Sequence, residues 1–370
     1  MRIPGNPLRS ARPLRILMRN RRDAFSHPGG DTVVMERLRD GLQGLGHAVA
    51  FDLDAAADAG AFDLVHLFNL TLPGLIGPMA RDALDKGVPF LIHALQEDWP
   101  RFLNQALATA VVLEKYVAAG QPRERLESTL AMLRECPAAE MPFCAEAARA
   151  AAILCTGAEE VATVRRDYPA ARAPVIPLAT GSHPAADAPG ADFRSAMGGE
   201  DFVLCVGRLE PRKNQLMLLA ALEDSDLTVV FADGGFAYAP EYAEACRKFR
   251  RRGRTVFTGR LPLPALVSAY RSARVCCLPS WYELPGLATL EAASWSRQVV
   301  ASPYGTIADY LGDACLYAAP DDPDGLGARI REAWDRPAGP ALRERAAAFT
   351  WARTAAETEK IYREILAMRI

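Results

Sequence analysis

The sequence predicts an α/β protein built from two parallel sheets, each covered by helices, with a ligand cleft between them. Three observations predict it. Short β-branched and apolar runs alternate with helical periodicity along the whole chain, the pattern of parallel strands joined by crossover helices. The pattern occurs twice, on either side of GSHPAADAPGADFRSAMGGE (181–200), a Gly/Ala/Pro-rich stretch without periodicity that reads as a linker. The length, 370 residues, is ample for two buried cores.

In the first set the strands read RILMR (15–19), AVAFDL (48–53), LVHLFN (64–69), PFLIHAL (89–95), AAILCTG (151–157) and PVIPLA (174–179). Helical segments fill the gaps, and the long one from about 101 to 135 breaks at Gly120-Gln121-Pro122. The second set reads FVLCV (202–206), LTVVFA (227–232), TVFTG (255–259), RVCCLPS (274–280), QVVAS (298–302) and ACLYA (314–318). Domain limits of 1–185 and 186–351 follow from the linker. The closing TWARTAAETEKIYREILAM places Trp351, Ala355, Thr358, Ile361, Tyr362 and Ile365 near one stripe of an amphipathic helix. Open parallel sheets bind ligands at the carboxyl edges of their strands, so the cleft between two of them is the expected site.

Composition excludes several classes. A net charge of −2 argues against a dedicated nucleic-acid binder, which carries a large positive excess. The apolar runs are too short to span a bilayer. Residues 1–13 are basic and Pro-rich without an apolar core, and read as a frayed tail rather than a secretory signal. The eight cysteines form no C-x-x-C, and several lie in strand-like runs. That usage fits buried reduced thiols in a cytoplasmic protein, not a disulfide framework or a zinc site.

The most telling segment is PSWYELPGLATLEAASW (279–295). Glu283 stands in a turn after a strand, and Glu291 sits in a helix whose other members are mostly apolar. A carboxylate in such surroundings is costly unless something donates hydrogen bonds to it. A ribose diol donates two and brings no charge. The N–H groups from Gly286 to Ala288, at the start of the same helix, are free to receive an anion. Diol acceptor and phosphate cradle side by side match a sugar nucleotide.

FVLCVGRLEPRKNQLMLLAAL places Arg208 and Lys213 in a strand-to-helix loop at the cleft edge, where two cations suit a diphosphate. In the first half, SHPGGDTVV puts Gly29 and Gly30 after strand one, with Asp31 or Thr32 as the helix N-cap. This is neither G-x-G-x-x-G nor a Walker loop, so no nicotinamide enzyme or ATPase is indicated. Arg19, Arg21 and Arg22 flank that loop, and two readings stay open: contact with an acidic acceptor or membrane surface, and solvated charge. His93 ends a strand and points its loop toward the cleft; a structural hydrogen bond and a functional contact are both open for it. Asp98 and Glu97 follow as acceptor-side candidates. Asp224-Ser225-Asp226 has the D-x-D form that holds Mn²⁺ in some glycosyltransferases, but it precedes a strand and lies at the far edge. The basic run RKFRRRGR (247–254) lies at that edge too, ending a helix whose dipole favours cations.

VGRLEPRKNQ, TVFTGRLP, PSWYELPGLATLEA with its spaced Glu283 and Glu291, VVASPYGTIADYLGDACLYAAPDDPDGL and FTWARTAAETEKIYREI occur in order over about 165 residues. In these pieces the chain resembles glycosyltransferase family 4, the retaining GT-B enzymes that use nucleotide sugars. PGGDTV, the GHAV strand entry and His93 extend the resemblance more loosely into the first half. The resemblance implies two facing Rossmann-like domains, with the final helix (352–370) crossing back to complete the first. Arg208 and Lys213 would then neutralise the donor diphosphate, Glu291 would bind the ribose and Glu283 a hydroxyl of the donor sugar. Pro285, Gly286 and Leu287 would contact sugar and phosphate, Gly259 and Arg260 would border the base, and Gly30 would meet the diphosphate from the other domain. His93 would contact the transferring sugar, with Asp98 and Arg21 on the acceptor side.

The implied reaction is metal-independent transfer of a hexose-type sugar from a nucleoside-diphosphate sugar, with no further cofactor, to a hydroxyl of a glycan, glycolipid or lipopolysaccharide-type acceptor. The implied location is cytoplasmic, with contact at the membrane's inner face open. Two loops depart from the family pattern: Ser296-Arg297-Gln298 stands for its Gly-x-Pro, and PLATG (177–181) for its Pro-Asn-Gly. A GT-B epimerase or phosphorylase and a non-catalytic nucleotide-sugar binder are the alternatives. A hydrolase fits less well, since it needs two opposed carboxyls about one glycosidic bond.

Overall fold

A computed structural model describes residues 12–135, 143–179, 192–235, 237–295 and 297–368. Most of the expected tail, most of the linker, the boundary at 185/186 and Ser296 lie outside them.

The first sheet holds β1 (Arg15–Arg19), β2 (Ala48–Phe51), β3 (Leu64–Phe68), β4 (Phe90–His93) and β5 (Ile153–Leu154), in the order β2-β1-β3-β4-β5. All its pairings are parallel. Helices α1 (Gly30–Gly44), α2 (Pro73–Asp85), α3 (Trp99–Ala119), α4 (Arg123–Leu133) and α5 (Ala158–Asp167) connect it. After a short α6 (Phe193–Ala196), the second sheet holds β6 (Phe202–Val206), β7 (Thr228–Ala232), β8 (Thr255–Phe257), β9 (Val275–Leu278), β10 (Val299–Ala301) and β11 (Leu316–Tyr317). Its order is β11-β10-β9-β6-β7-β8, again parallel. Its helices are α7 (Gln215–Ala221), α8 (Pro240–Lys248), α9 (Leu263–Ser272), α10 (Leu287–Trp295), α11 (Ile307–Leu311), α12 (Pro323–Asp335) and α13 (Ala341–Ala347). The chain closes with α14 (Trp351–Ala367).

Both sheets are buried on both faces, which is why their strands read as continuous apolar runs rather than alternating ones. PVIPLA (174–179) differs from expectation: it makes only a single bridge, Val175 to Cys155. Pro174 and Pro177 have no N–H to give a ladder. The described cysteines are free and buried. No described helix is long and apolar enough to cross a membrane.

The final helix does cross back. Ala355, Ile361, Tyr362 and Ile365 of α14 share a core with Val34, Leu38 and Leu42 of α1. Gly41 makes the close approach possible, since a Cβ there would fall 2.6 Å from that of Ala355. The α3–α4 hairpin does something the linear order hides. Ala110, Leu113, Tyr116, Leu126 and Leu130 pack with α7, α8 and α12 on the second sheet. Tyr116 donates to Glu223 at 2.5 Å, and Arg123 reaches the Ala220 carbonyl at 2.8 Å and Asp324 at 2.6 Å. A helical pair encoded between two strands of the first sheet thus straps it to the second.

In each sheet the order reverses beside the first strand, between β1 and β3 and between β6 and β9. The carboxyl-end loops at those switch points form the cleft.

Candidate active site

The loop after β6 carries most of the cations. It turns at Gly207, runs through a short 3₁₀ turn at Pro211–Lys213, and is anchored by Asn214. The Asn214 amide donates to the Pro279 and Pro320 carbonyls at 3.1 and 2.6 Å, fixing the loop against the end of β9. Along it runs a chain of alternating charge. Arg208 pairs with Glu210 at 3.3 Å, Glu210 with Arg212 at 3.3 Å, and Arg212 with Glu97 of the first domain at 3.0 Å. Arg212 also lies 3.9 Å from Glu283, which is bonded to Lys213.

Glu283 is 7% exposed. Burial pushes its carboxyl up, but Lys213 and Arg212 outweigh burial and hold it below the ordinary range. Just beyond, a cis Leu284–Pro285 peptide leads to Gly286 at φ 81°. A side chain at Gly286 would meet Thr289 and Glu283 within 3.1 Å, so glycine is required twice over. α10 then begins: the Thr289 and Leu290 N–H groups bond the Gly286 carbonyl at 2.9 and 3.1 Å, and those of Leu287 and Ala288 come before the first helical bond. Glu291, on its second turn, is half-buried and accepts from the Tyr270 hydroxyl at 3.2 Å. Burial raises its pKa, countered in part by Tyr270 and by Arg37 of α1. A carboxylate so raised gains from further hydrogen-bond donors.

From the first domain, the loop after β1 approaches Arg208, whose guanidinium donates to the Pro28 carbonyl at 3.2 Å. Gly30 opens α1, with open space where a side chain would be. The N-cap is Gly29, not Asp31 or Thr32. The Thr32 hydroxyl reaches back to the Gly29 N–H at 3.3 Å and donates to the Ala24 carbonyl, and Asp31 is engaged by Arg21 at 2.9 Å. On the other flank, Gly259 follows β8 at φ 64°. Arg260 sits beside Gly235, and Arg208 beside Gly234.

The structure thus brings Arg208, Lys213, Glu283, Pro285, Gly286, Leu287 and Glu291 to the switch-point loops of the second sheet, with Gly259 and Arg260 on their border and Gly30 facing them. Three expected residues are placed differently. His93 ends β4 but does not open to the cleft: it is 0% exposed, stacked at 5.9 Å on Phe68 and 5.8 Å on His66. Neither of its ring nitrogens has a hydrogen-bond partner, and burial lowers its pKa to about 4. Leu287 packs against the core that holds Phe68. Arg21 is consumed by Asp23, Asp31 and the His27 carbonyl. Asp98 stands at the start of α3 without a side-chain capping bond, is 6% exposed, and pairs with Arg166 at 3.0 Å. Arg19 is wholly buried between Asp52 and Asp82, and Arg22 is held at the surface by Asp54.

Asp224–Asp226 lies before β7, away from the cleft, where Arg252 pairs with Asp226 at 2.6 Å. Arg251 of the basic run bonds the Leu222, Ser225 and Leu227 carbonyls, so part of that run ties a turn together. No group of three His, Cys, Asp or Glu side chains suited to a metal occurs among the described residues.

The sequence reading missed Glu210, Arg212 and the turn Asp233-Gly234-Gly235, which lies between Arg208 and Arg260. The signal for that turn was present in FADGG, two glycines directly after a buried strand.

Two sheets of this order facing across a cleft define the GT-B glycosyltransferase fold. Sucrose-phosphate synthase from Thermosynechococcus elongatus superposes with a TM-score of 0.71 at 21% identity, over 96% of this chain and 100% of that one. Anabaena Alr3699/HepE, in complex with UDP and glucose, superposes with a TM-score of 0.64 at 15% identity, over 94% and 98%. At the sequence level, residues 200–336 match the family described as glycosyl transferases group 1. The D-inositol 3-phosphate glycosyltransferase of Kribbella flavida is 32% identical over 201 residues, 48% of this chain and 47% of that protein. The chain spans less than half the length of the curated relatives it matches. The second domain, which carries the cation loop and both glutamates, therefore matches a group 1 glycosyltransferase.

Proposed function

We propose that this protein is a retaining glycosyltransferase. It moves a hexose-type sugar from a nucleoside-diphosphate sugar to a hydroxyl of a glycan-type acceptor, with protein cations serving the diphosphate in place of a metal. The observation that supports this best is the convergence of Arg208, Lys213, Glu283, Glu291 and the start of α10 on one switch point. The D-x-D at the far edge is not part of it.

The chemistry follows from charge. As the glycosyl–oxygen bond breaks, negative charge grows on the β-phosphate and positive charge on the anomeric carbon. Arg208, Lys213 and the α10 N–H groups oppose the first from fixed positions, which is where electrostatic catalysis is strongest. Lys213 is bonded to Glu283. An incoming phosphate would share that ammonium and release a Glu283 oxygen to accept from a sugar hydroxyl. Glu291 takes the ribose diol. With Glu283 assigned to a hydroxyl of the donor sugar, retention proceeds by same-face attack, the leaving phosphate oxygen taking the acceptor's proton.

The test is transfer from UDP-, GDP- and ADP-sugars to a panel of methyl glycosides and oligosaccharides, with the product anomer read by NMR. Retained configuration in an acceptor-dependent product is expected. An inverted product refutes retention, and donor conversion without acceptor points to an epimerase.

A further inference from the structure

The acceptor side of the cleft carries a charge pattern that the donor reading does not use. The loop after β4 is held rigidly. Leu95 adopts φ 43°, a conformation that costs a non-glycine residue energy. It is held there by the Thr71 hydroxyl, which donates to the Leu95 carbonyl at 2.6 Å and accepts from the Glu97 N–H at 2.9 Å. Gln96 is fixed from both ends, its N–H by Glu160 at 2.7 Å and its amide by Asp167 at 2.6 Å. What this loop presents is Glu97. Its side chain is 23% exposed, so it is reachable, and one oxygen lies 3.0 Å from Arg212. Beside it the buried Asp98 keeps Oδ1 without a partner. Trp99, Phe102, Leu103, Trp281 and Tyr282 line a small apolar recess with these two carboxylates and Arg212.

Three arginines of the same edge are already held by carboxylates. Arg19 is held by Asp52 and Asp82, Arg21 by Asp31 and Asp23, and Arg166 by Asp98 and Asp167. Arg101 lies over the Phe102 and Tyr304 rings at 4.7 and 5.5 Å, near Glu159. The edge therefore offers carboxylate oxygens beside an apolar wall. Hydroxyls donate to such oxygens, whereas a phosphate placed there meets like charge.

We propose that Glu97 recognises the acceptor, and that the acceptor is a saccharide presenting hydroxyls and no phosphate at this position. The proposal rests on the donor reading of the facing loops. Glu97 holds an acceptor hydroxyl while Arg212 fixes the carboxylate against the donor side, so the acceptor docks next to Glu283.

The experiment has a separate arm for each claim. Thermal shift of the full chain with UDP, GDP and ADP tests the donor reading, and no shift with any of them overturns both. Transfer from the matching nucleotide sugar is then compared over pairs: methyl mannoside with mannose 6-phosphate, methyl glucoside with glucose 6-phosphate, and inositol with inositol 3-phosphate. A neutral member is expected to react about tenfold faster or more than its phosphate. Glu97→Gln is expected to raise the acceptor KM about tenfold or more, as for loss of a charged hydrogen bond, without weakening nucleotide binding. Glu97→Lys is expected to narrow the discrimination. Preference of the wild type for a phosphorylated member overturns the proposal, as does a Glu97→Gln variant with unchanged acceptor KM. If no pair turns over, the nucleotide-saturated protein decides: greater stabilisation by the sugar phosphates than by the neutral sugars overturns it, and the reverse supports it.

Discussion

Lys213 and Glu283 hold each other in the cleft. The glutamate is buried and ionised because the lysine is there, and the lysine is held in the cleft because the glutamate is there. Lys213→Ala should lower kcat/KM for transfer by about 30-fold or more, equivalent to about 2 kcal/mol of lost charge stabilisation. An unchanged kcat/KM would remove Lys213 from the mechanism. Glu291 gives a different signature. Its carboxyl is pushed up by burial, and only the ionised form offers both oxygens as acceptors to the two hydroxyls of a ribose diol. Nucleotide affinity should therefore weaken as pH falls through that raised pKa. Glu291→Gln should bind more weakly at neutral pH and lose that dependence, which calorimetry over a pH series would read. Both glutamates were legible in the sequence because carboxylates among apolar neighbours need a partner. Arg212 was not, since a third cation in a basic loop looks solvated until its carboxylate partners are known.

At the scale of elements, periodicity found the strands and helices because buried parallel strands are apolar on both faces. It failed at PVIPLA, where two prolines removed the donors that a ladder needs. It also could not show that α3 and α4 would join the second core. An apolar stripe states that a face is buried, not against what. The crossing of α1 and α14 depends on Gly41. Gly41→Ala improves helix propensity by about 1 kcal/mol, yet it overlaps Ala355, and overpacking costs about 1–3 kcal/mol. The overlap should win. A lower thermal midpoint is expected, and an unchanged or higher one would mean that the helices separate freely.

For the whole molecule, two buried groups oppose each other in pH. His93 titrates near 6.5 when unfolded and near 4 when folded, so its contribution is present above pH 6.5 and lost as pH falls toward 4. At about 1.4 kcal/mol per pH unit this amounts to about 3 kcal/mol. Glu160, buried beneath the same loop, is pushed up to about 7 from 4.5, so its contribution is present below pH 4.5 and lost as pH rises through 7. Between about pH 4.5 and 6.5 the two slopes cancel. With the His93 slope removed and that of Glu160 left, His93→Phe should therefore gain stability relative to the wild type as pH falls from 6.5 to 4.5, as read from thermal midpoints. An identical pH profile would show that His93 is not buried neutral.

The domains meet through further polar contacts of the same region. Thr156 meets Thr306 at 3.1 Å, Glu159 accepts from the Gly305 N–H at 2.8 Å, and Asp309 accepts from the Ala158 N–H at 2.6 Å. These join the segment after β5 to the loop after β10 across the domains, and the central claim is that the cleft between the two sheets grips a nucleoside diphosphate. Calorimetric titration of UDP, GDP and ADP into the wild type and the Arg208→Ala/Lys213→Ala double variant tests it most directly. At least one nucleotide should bind the wild type, and the double variant should bind it about 100-fold or more weakly, as expected for two charged contacts at about 1.5–3 kcal/mol each. Failure of all three to bind, or equal affinity for the double variant, would contradict the account.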